Sequence, residues 1–272
     1  MMRTTVSHSI PEGEYPLSGE AVRSFQRDGH VLLRQVLDAK SAALFAGTVR
    51  NAVHAHNKEK RKIEERDTYG KAFLQTTNLW EVDRDVKALT MAKRFARIAA
   101  QLLGVEKVRL YHDQALFKEP GGGHTPWHQD QFYWPLDTDK TITMWMPLVD
   151  VDKDMGMLTF ASGSHLKGLH ANVEISDQSE AALNNYVKQQ GFGISRSDFM
   201  QAGDATWHNG WIMHSAPGNY SQKVREVMTV IYYADGAKIT RPINPFQEED
   251  RKRWFCGLPP GSLAASEINP IL

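Results

Sequence analysis

Residues 127–134 read WHQDQFYW and place His128 and Asp130 two residues apart in a run of aromatic side chains. The alternation is typical of a β-strand or of its end, and side chains at positions i and i+2 of a strand point to the same side. An imidazole and a carboxylate that reach one point in space form half of a metal site. The other half of such a site has to come from elsewhere in the chain.

The segment GDATWHNGWIMHSAPG, residues 203–218, offers the best partner. His214 stands near the end of its apolar run, and Arg225 opens the next strand-like run eleven residues later. Two histidines and one carboxylate that leave open positions form the facial triad suited to non-haem Fe(II). An arginine near such a metal can pair with the carboxylate of a cosubstrate through two parallel hydrogen bonds.

Composition narrows the class of protein. The 272 residues are 41% hydrophobic and 24% charged, as in ordinary globular proteins, and 32 basic residues balance 32 acidic ones. A chain without net charge lacks the basic surface of a nucleic-acid-binding protein, and no apolar run is long enough for a membrane span. Because Cys256 is the one cysteine and the amino end has no signal-peptide pattern, we expect a protein of the reducing cytoplasm.

The first third of the chain predicts three helices. Ser18 is suited to cap a helix over residues 19–28 that Gly29 ends. Apolar residues at three-to-four spacing predict a second helix within residues 38–62 and a third over residues 83–104, which ends on a glycine.

After that glycine the pattern changes to strands. Alternation in KVRLYHDQALFK, residues 107–118, predicts a strand, and TITMWMPLVDV and EVMTVIYYADG predict two more. The first strand is expected to present five side chains on one face: Val108, Leu110, His112, Gln114 and Leu116. Helices followed by many short strands favour an antiparallel barrel or sandwich with helices packed outside.

We expect residues 1–272 to form a single domain. Its helical part covers about residues 18–104, and its strand-rich core covers about residues 105–240. The polar segment of about residues 166–200 interrupts the core and contains one predicted short helix near QSEAALNNYVKQQ. Long insertions in compact domains are often lids or binding loops, so this segment is predicted to be lid-like.

The order of the motifs WHQD, WMPLVDVDKDMGMLTFASGSHLKG and GD…H…N-x-S…R resembles the phytanoyl-CoA dioxygenase family, from about Val108 to Gly236. The resemblance implies a mainly β protein with α-helices: a double-stranded β-helix, or cupin-like jelly roll, with the N-terminal helices outside. It also implies an enzyme that uses Fe(II), 2-oxoglutarate and O₂, with release of succinate and CO₂.

The resemblance assigns roles to six residues. The implied iron ligands are His128, Asp130 and His214. The implied contacts of 2-oxoglutarate are Arg225, Gln114 and Trp145, and Lys118 aligns with a lysine of the family. Two departures stand out: Ser215–Ala216 replaces the usual glycine–serine after the distal histidine, and Met155 stands where the family often has asparagine.

The remaining histidines are not assigned as ligands. His208 is expected to be structural or to form part of the pocket wall. His112 and His124 are expected to be bystanders, and His165 is expected to stabilise a turn.

The predicted function is oxidation, such as hydroxylation, of a small organic molecule in secondary metabolism, by a monomer or homodimer that binds neither nucleic acid nor membrane. One alternative is a metal-binding, cupin-like jelly roll without oxygenase activity. That alternative does not explain the position of Arg225. Halogenation needs a small residue in place of Asp130. A non-enzymatic interaction protein leaves the triad unexplained. The substrate stays open between a CoA thioester, an amino acid derivative and a secondary metabolite.

Overall fold

The computed structural model describes residues 13–168 and 177–272. Its α-helices, in chain order, are α1 Gly19–Asp28, α2 Ala39–His56, α3 Thr68–Ala72, α4 Leu79–Val82, α5 Arg84–Thr90, α6 Lys93–Leu103, α7 Asp177–Gln190 and α8 Pro245–Trp254. None of the helices in the described residues is long and apolar enough to cross a membrane.

The strands are β1 His30–Leu33, β2 Leu74–Thr77, β3 Val108–Lys118, β4 Thr125–His128, β5 Thr141–Pro147, β6 Val151–Asp152, β7 Thr159–Ser162, β8 Gly193–Arg196, β9 Phe199–Met200, β10 Ala205–Asn209, β11 His214–Ala216 and β12 Arg225–Ala234. They pair antiparallel in a six-stranded sheet β1-β10-β5-β12-β3-β2, a four-stranded sheet β4-β11-β7-β8 and the small pair β6-β9.

The two larger sheets face each other in a jelly-roll sandwich. Trp145 and Val227 of the six-stranded sheet share an apolar cluster with Phe160 and Ala216 of the four-stranded sheet. The outer face of the six-stranded sheet carries the N-terminal helices, whose Phe45 and Phe95 belong to the largest core cluster. The fold class predicted from the sequence is confirmed. The inner faces of the two sheets meet through these apolar contacts, and the space that remains between the sheets can hold a site.

The helix predictions are right in kind and wrong in two boundaries. α1 has the predicted limits: the Ser18 side chain accepts the backbone N–H of Ala21, and Gly29 adopts a positive φ of 78°. α2 ends at His56 rather than near residue 62, because the lysine-rich tail has no apolar face to bury. The predicted helix over residues 83–104 is two helices, α5 and α6, separated by the extended backbone of Ala92.

A bulge in β3 corrects the prediction that five alternating residues share one face. β12 pairs Ile231 with His112 and Tyr232 with Leu110, so Tyr111 is the extra residue. Side chains beyond a bulge change sides. Val108 and Leu110 therefore pack in the helix-covered core, whereas His112, Gln114 and Leu116 line a cavity between the sheets.

The segment predicted to be lid-like contains α7, at the position where the sequence predicts a short helix, followed by β8 and β9. Residues 169–176 of this segment lie outside the described residues. The short strands β1 and β2, which the sequence did not reveal, extend the six-stranded sheet at its two ends.

Candidate active site

The three residues predicted to hold a metal converge. His128 ends β4 and His214 opens β11, and the two are paired in register across the four-stranded sheet. Asp130 lies just after the strand, at the start of a 3-10 turn over Asp130–Tyr133. Asp130 Oδ1 lies 3.5 Å from Nε2 of His128 and 3.6 Å from Nε2 of His214. One ligand atom from each of the three lies within 4.8 Å of the others.

The hydrogen bonds of the two imidazoles fit a metal ion. Nδ1 of His128 lies 2.8 Å from the Pro126 carbonyl oxygen, and Nδ1 of His214 lies 3.1 Å from the Ile212 carbonyl oxygen. Since a carbonyl only accepts, each Nδ1 carries the proton and each Nε2 offers a lone pair. Metal ligands at bond lengths of about 2.1 Å sit about 3 Å apart in an octahedron, close to the separations found here.

The second carboxylate oxygen of Asp130 is held away from this point. Thr143 donates its hydroxyl to Oδ2 at 3.1 Å, and Nε2 of His208 lies 3.4 Å from the same atom. Burial raises the pKa of Asp130, but its interactions with His214, His128 and His208 outweigh burial and hold the pKa well below the ordinary range. Burial, with the neighbouring imidazole of His128, holds the pKa of His214 well below 6.5. An ionised carboxylate beside a neutral imidazole is the state that binds a metal.

Arg225, the first residue of β12, is a buried cation without an acidic partner in the described residues. It is 2% exposed, and Nη1 donates to the Gly156 carbonyl while Nε has no hydrogen-bond partner. Its guanidinium lies 5.4 Å from the ring centre of Trp145. Burial lowers the pKa of Arg225 to about 9. Because an unpaired buried charge is costly, this arrangement fits the carboxylate of a ligand.

A second buried cation stands beside it. Lys118 is paired with Arg225 in the β3–β12 register, is fully buried and donates to the Gly123 carbonyl. Burial, followed by the charge of Arg225, lowers the pKa of Lys118 to about 6. Gly156 has a φ of 80°, and a Cβ on it would lie 2.8 Å from Lys118 Cδ, so a side chain there would displace this pair.

The two remaining residues of the predicted site also reach the cavity. Gln114 accepts a 2.7 Å hydrogen bond from Nε2 of Gln75 and lines the wall. Trp145 lies on β5 and is paired with Thr229, which lies opposite Gln114. All six residues predicted for the site therefore line one cavity of about 620 Å³.

The other sequence expectations for this region have mixed outcomes. His208 lines the cavity wall, whereas His124 is exposed and His165 contacts the Gln26 carbonyl at 3.2 Å. His112, expected to be a bystander, lines the cavity, because the bulge at Tyr111 turns its ring towards it.

The two departures from the family pattern also have locations. Ala216 lines the cavity, whereas Ser215 is paired with Thr159 in the sheet and is not part of the cavity wall. Met155 packs in the apolar cluster between the sheets.

Part of the cavity wall comes from segments that the sequence did not connect with the site. The wall includes residues of β2 and α8 and their neighbours: Asp67, Thr77, Phe246, Asp250, Arg253 and Trp254. The helix itself has a sequence signal, since Asn244 caps α8 and Pro245 occupies its first turn. Nothing in the local sequence indicates that α8 packs beside the cavity that contains His128, Asp130 and His214.

This fold and donor set define a jelly-roll enzyme site for a metal ion and a carboxylate-bearing cosubstrate. The sequence profile of phytanoyl-CoA dioxygenase (PhyH) matches residues 25–227, which is 203 of the 272 residues, so the chain belongs to the phytanoyl-CoA dioxygenase family. This is a family of 2-oxoglutarate-dependent non-haem iron dioxygenases. The predicted enzyme class and cofactors are thereby confirmed at the level of the family.

Individual proteins give more distant likenesses. A probable α-ketoglutarate-dependent hypophosphite dioxygenase of Stutzerimonas stutzeri is 26% identical over 168 residues, 56% of this chain and 54% of the relative, so the match spans about half of that relative. The carbocyclase SnoK from nogalamycin biosynthesis superposes with a TM-score of 0.78 at 24% identity, over 96% of this chain and 99% of SnoK. EctD from S. alaskensis gives 0.67 at 19% identity, over 84% and 80%. Such likenesses establish the fold.

Proposed function

We propose that this protein is an Fe(II)- and 2-oxoglutarate-dependent dioxygenase that hydroxylates or otherwise oxidises a small organic molecule. The observation that carries the proposal is the pairing of two features in one cavity. One is the set of three donors from His128, Asp130 and His214. The other is the buried cation of Arg225, which has no carboxylate partner in the part of the chain described by the structure.

Each residue has a distinct task in this proposal. His128, His214 and one oxygen of Asp130 hold the iron, and Thr143 and His208 keep the other oxygen turned away. Iron with 2-oxoglutarate supplies the oxidising chemistry, by coupling decarboxylation of the 2-oxo acid to the activation of O₂. Arg225 pairs with the far carboxylate of 2-oxoglutarate, and the faces of Trp145 and Leu116 close that end to water.

Secondary metabolism is the proposed setting. Its support is the likeness of the whole fold to SnoK and to the epimerase SnoN, both described from nogalamycin biosynthesis. A cavity of about 620 Å³ that also receives 2-oxoglutarate suits a substrate of metabolite size. The likeness to a hypophosphite dioxygenase indicates that substrates differ widely within the family. We therefore infer the substrate from the cavity of this chain.

The test is anaerobic visible spectroscopy of the iron-loaded protein. Addition of 2-oxoglutarate is expected to produce the weak charge-transfer band of a chelated 2-oxo acid. Succinate in place of 2-oxoglutarate is the matched control, because it keeps the far carboxylate and lacks the 2-oxo group. A folded, iron-loaded sample that shows no band at saturating 2-oxoglutarate would return the protein to the class of metal-binding jelly rolls without oxygenase activity.

A further inference from the structure

Helix α8 is fixed over the cavity by contacts at its start. Asn244 and Gln247 both donate side-chain N–H groups to the Phe132 carbonyl, at 3.2 and 3.1 Å. Phe246 packs edge-on against Tyr133, with ring centres 5.5 Å apart. Because Phe132 and Tyr133 follow directly on the Asp130 turn, α8 is held close to the metal-binding residues. The helix lies beyond the segment matched by the family profile, which ends at residue 227.

Asp250 is a half-buried carboxylate on the cavity side of α8. It lies one turn before Trp254, so the two side chains share a face, and both line the cavity. The Tyr111 hydroxyl donates to Asp250 Oδ2 at 2.6 Å. Among the described residues, no lysine or arginine nitrogen lies within 4 Å of this carboxylate. It is therefore the acidic counterpart of Arg225: a charge in the cavity wall without an ion-pair partner.

The one other arginine of the cavity wall is already engaged. The Arg253 guanidinium lies over the Trp254 ring, 4.2 Å from its centre, and Nη2 donates to the Thr77 hydroxyl at 2.7 Å. One further carboxylate of α8, that of Glu249, lines the cavity beside Asp250. Two acidic residues against one arginine make this end electronegative, which attracts cations and repels phosphorylated or CoA-linked molecules.

His112 adds an independent sign of a ligand at the same end. Its ring is 4% exposed, lines the cavity and packs on Trp254 with ring centres 4.6 Å apart. Nδ1 faces the Asp113 carbonyl at 3.4 Å, so Nε2 carries the lone pair, and within the described residues it has no hydrogen-bond partner. A buried acceptor aimed into a cavity is satisfied by a ligand that donates.

We propose that the primary substrate carries a protonated amine, and that Asp250 and His112 receive it at the α8 end of the cavity. The proposal rests on the proposed oxygenase function, since it names the substrate of that site. An ammonium group has three donors and no acceptor, which matches two wall groups that only accept. The rings of Tyr133 and Phe246 line the same end and present aromatic surface that favours a cation.

The ionisation of Asp250 agrees with this geometry. Burial raises the pKa of Asp250 to about 7, and the hydrogen bond from Tyr111 opposes the effect without cancelling it. A carboxylate of this kind gains most from a cation that enters its surroundings, because the cation offsets the cost of the buried charge. Burial lowers the pKa of His112 to about 3, which keeps its ring a neutral acceptor.

The experiment compares three ring compounds that differ in charge: benzylamine, benzyl alcohol and benzoate. Binding is measured by ligand-observed saturation-transfer NMR on the full chain with Zn²⁺, which is diamagnetic, and with saturating 2-oxoglutarate to keep benzoate from Arg225. Near about pH 7.5, benzylamine is expected to bind about tenfold more tightly than benzyl alcohol, and benzoate more weakly than either. Asp250→Asn should bring benzylamine to the level of the alcohol.

Glu248→Gln is the matched control. Glu248 is on the same helix but pairs with Arg251 and does not line this cavity, so the change should leave the preference within about twofold. Equal binding of the amine and the alcohol by the unaltered protein overturns the proposal without needing any variant. So does an equal loss in the Glu248→Gln and Asp250→Asn proteins. If the charge-transfer band appears but benzylamine is not preferred, the amine proposal is wrong and the oxygenase proposal stands. If benzylamine is preferred but no band appears, the oxygenase proposal is the one that fails.

Discussion

The two ends of the cavity carry opposite charges that are left without protein partners. At one end Arg225 and Lys118 are buried beside each other, and at the other Asp250 stands on the cavity side of α8. Along β12, Arg225 and Ile231 are six residues apart, roughly 20 Å, and Ile231 is paired with His112 at the second end. A cavity with a cationic end and an acidic end is expected to orient two different ligands along its length.

Burial shifts the ionisation of the two ends in opposite directions. It lowers the pKa of Arg225 to about 9 and raises the pKa of Asp250 to about 7, because in both cases it disfavours the charged form. Buried charges in proteins are normally paired, so each end has the character of a binding site rather than of core. We therefore expect substitutions at the metal site, at the cationic end and at the acidic end to have separate effects.

The largest expected effect comes from the metal site. Asp130→Ala should abolish turnover and greatly weaken iron binding, because it removes one of three ligands while two neutral imidazoles remain. The fold should persist, since the core is built by apolar clusters that do not include Asp130. Iron binding is measured by titration, and folding by circular dichroism. Binding of benzylamine should survive, and its loss would mean that the acidic end depends on the metal site.

The next effect breaks the cationic end. Arg225→Ala should weaken 2-oxoglutarate binding by about two to four decades, because loss of one partner from a desolvated pair costs about 3–5 kcal/mol. Arg225→Lys should fall in between, since a lysine offers a single point charge instead of a fork. The readout is the 2-oxoglutarate dependence of the charge-transfer band.

Arg253→Gln is the control for this change, because Arg253 lines the other end of the same cavity. It should leave the 2-oxoglutarate affinity near that of the unaltered protein. An unchanged affinity in Arg225→Ala would move Arg225 to a structural role and would remove the basis for two distinct ends.

The cationic end and the triad could be predicted from the sequence because their signals are local. His128 and Asp130 are two residues apart, and His214 and Arg225 flank one turn between strands. The alternation of side chains along strands then places these residues on the same side, between the two sheets. The predicted triad residues do converge in the structure.

The acidic end could not be predicted because its parts are distant in sequence and look like ordinary surface. PFQEEDRKRW, residues 245–254, has the composition of a solvated helix, and its hydrogen bonds to Phe132 cross more than a hundred residues. The bulge at Tyr111 has no sequence signal that could be separated from regular alternation. That single extra residue decides whether His112 faces the core or the cavity.

The third prediction concerns stability and tests the acidic end without any ligand. A pKa of Asp250 near 7, above the ordinary 3.8, means that between these values the folded state keeps a proton that the unfolded chain has lost. Stability from this group is therefore present at low pH and falls as the pH rises towards 7. The difference of about 3 pH units corresponds to at most about 4 kcal/mol.

Asp250→Asn should remove this loss while its amide oxygen still accepts the Tyr111 hydroxyl. The variant should gain about 2–4 kcal/mol relative to the unaltered protein at about pH 8, compared with about pH 4. Urea unfolding at the two pH values measures the gain. Glu248→Gln, a change on the same helix outside the cavity, should show no such pH-dependent gain. A gain of equal size at both pH values would mean that Asp250 is not a buried, unpaired charge.

The smallest expected effect concerns Thr143, a residue of the cavity wall that contacts Asp130. Thr143→Val keeps the shape of the side chain but removes the hydroxyl that donates to Asp130 Oδ2 at 3.1 Å. Groups that orient metal ligands typically contribute at least tenfold to metal affinity, so iron binding should weaken about tenfold, or about 1.4 kcal/mol. Thr229→Val is the matched control, since Thr229 lines the same cavity but donates to the Gln114 carbonyl. Competitive iron titrations should separate the two variants, because one hydroxyl orients a ligand and the other a strand. Equal losses would show that cavity polarity, rather than the orientation of Asp130, sets the iron affinity.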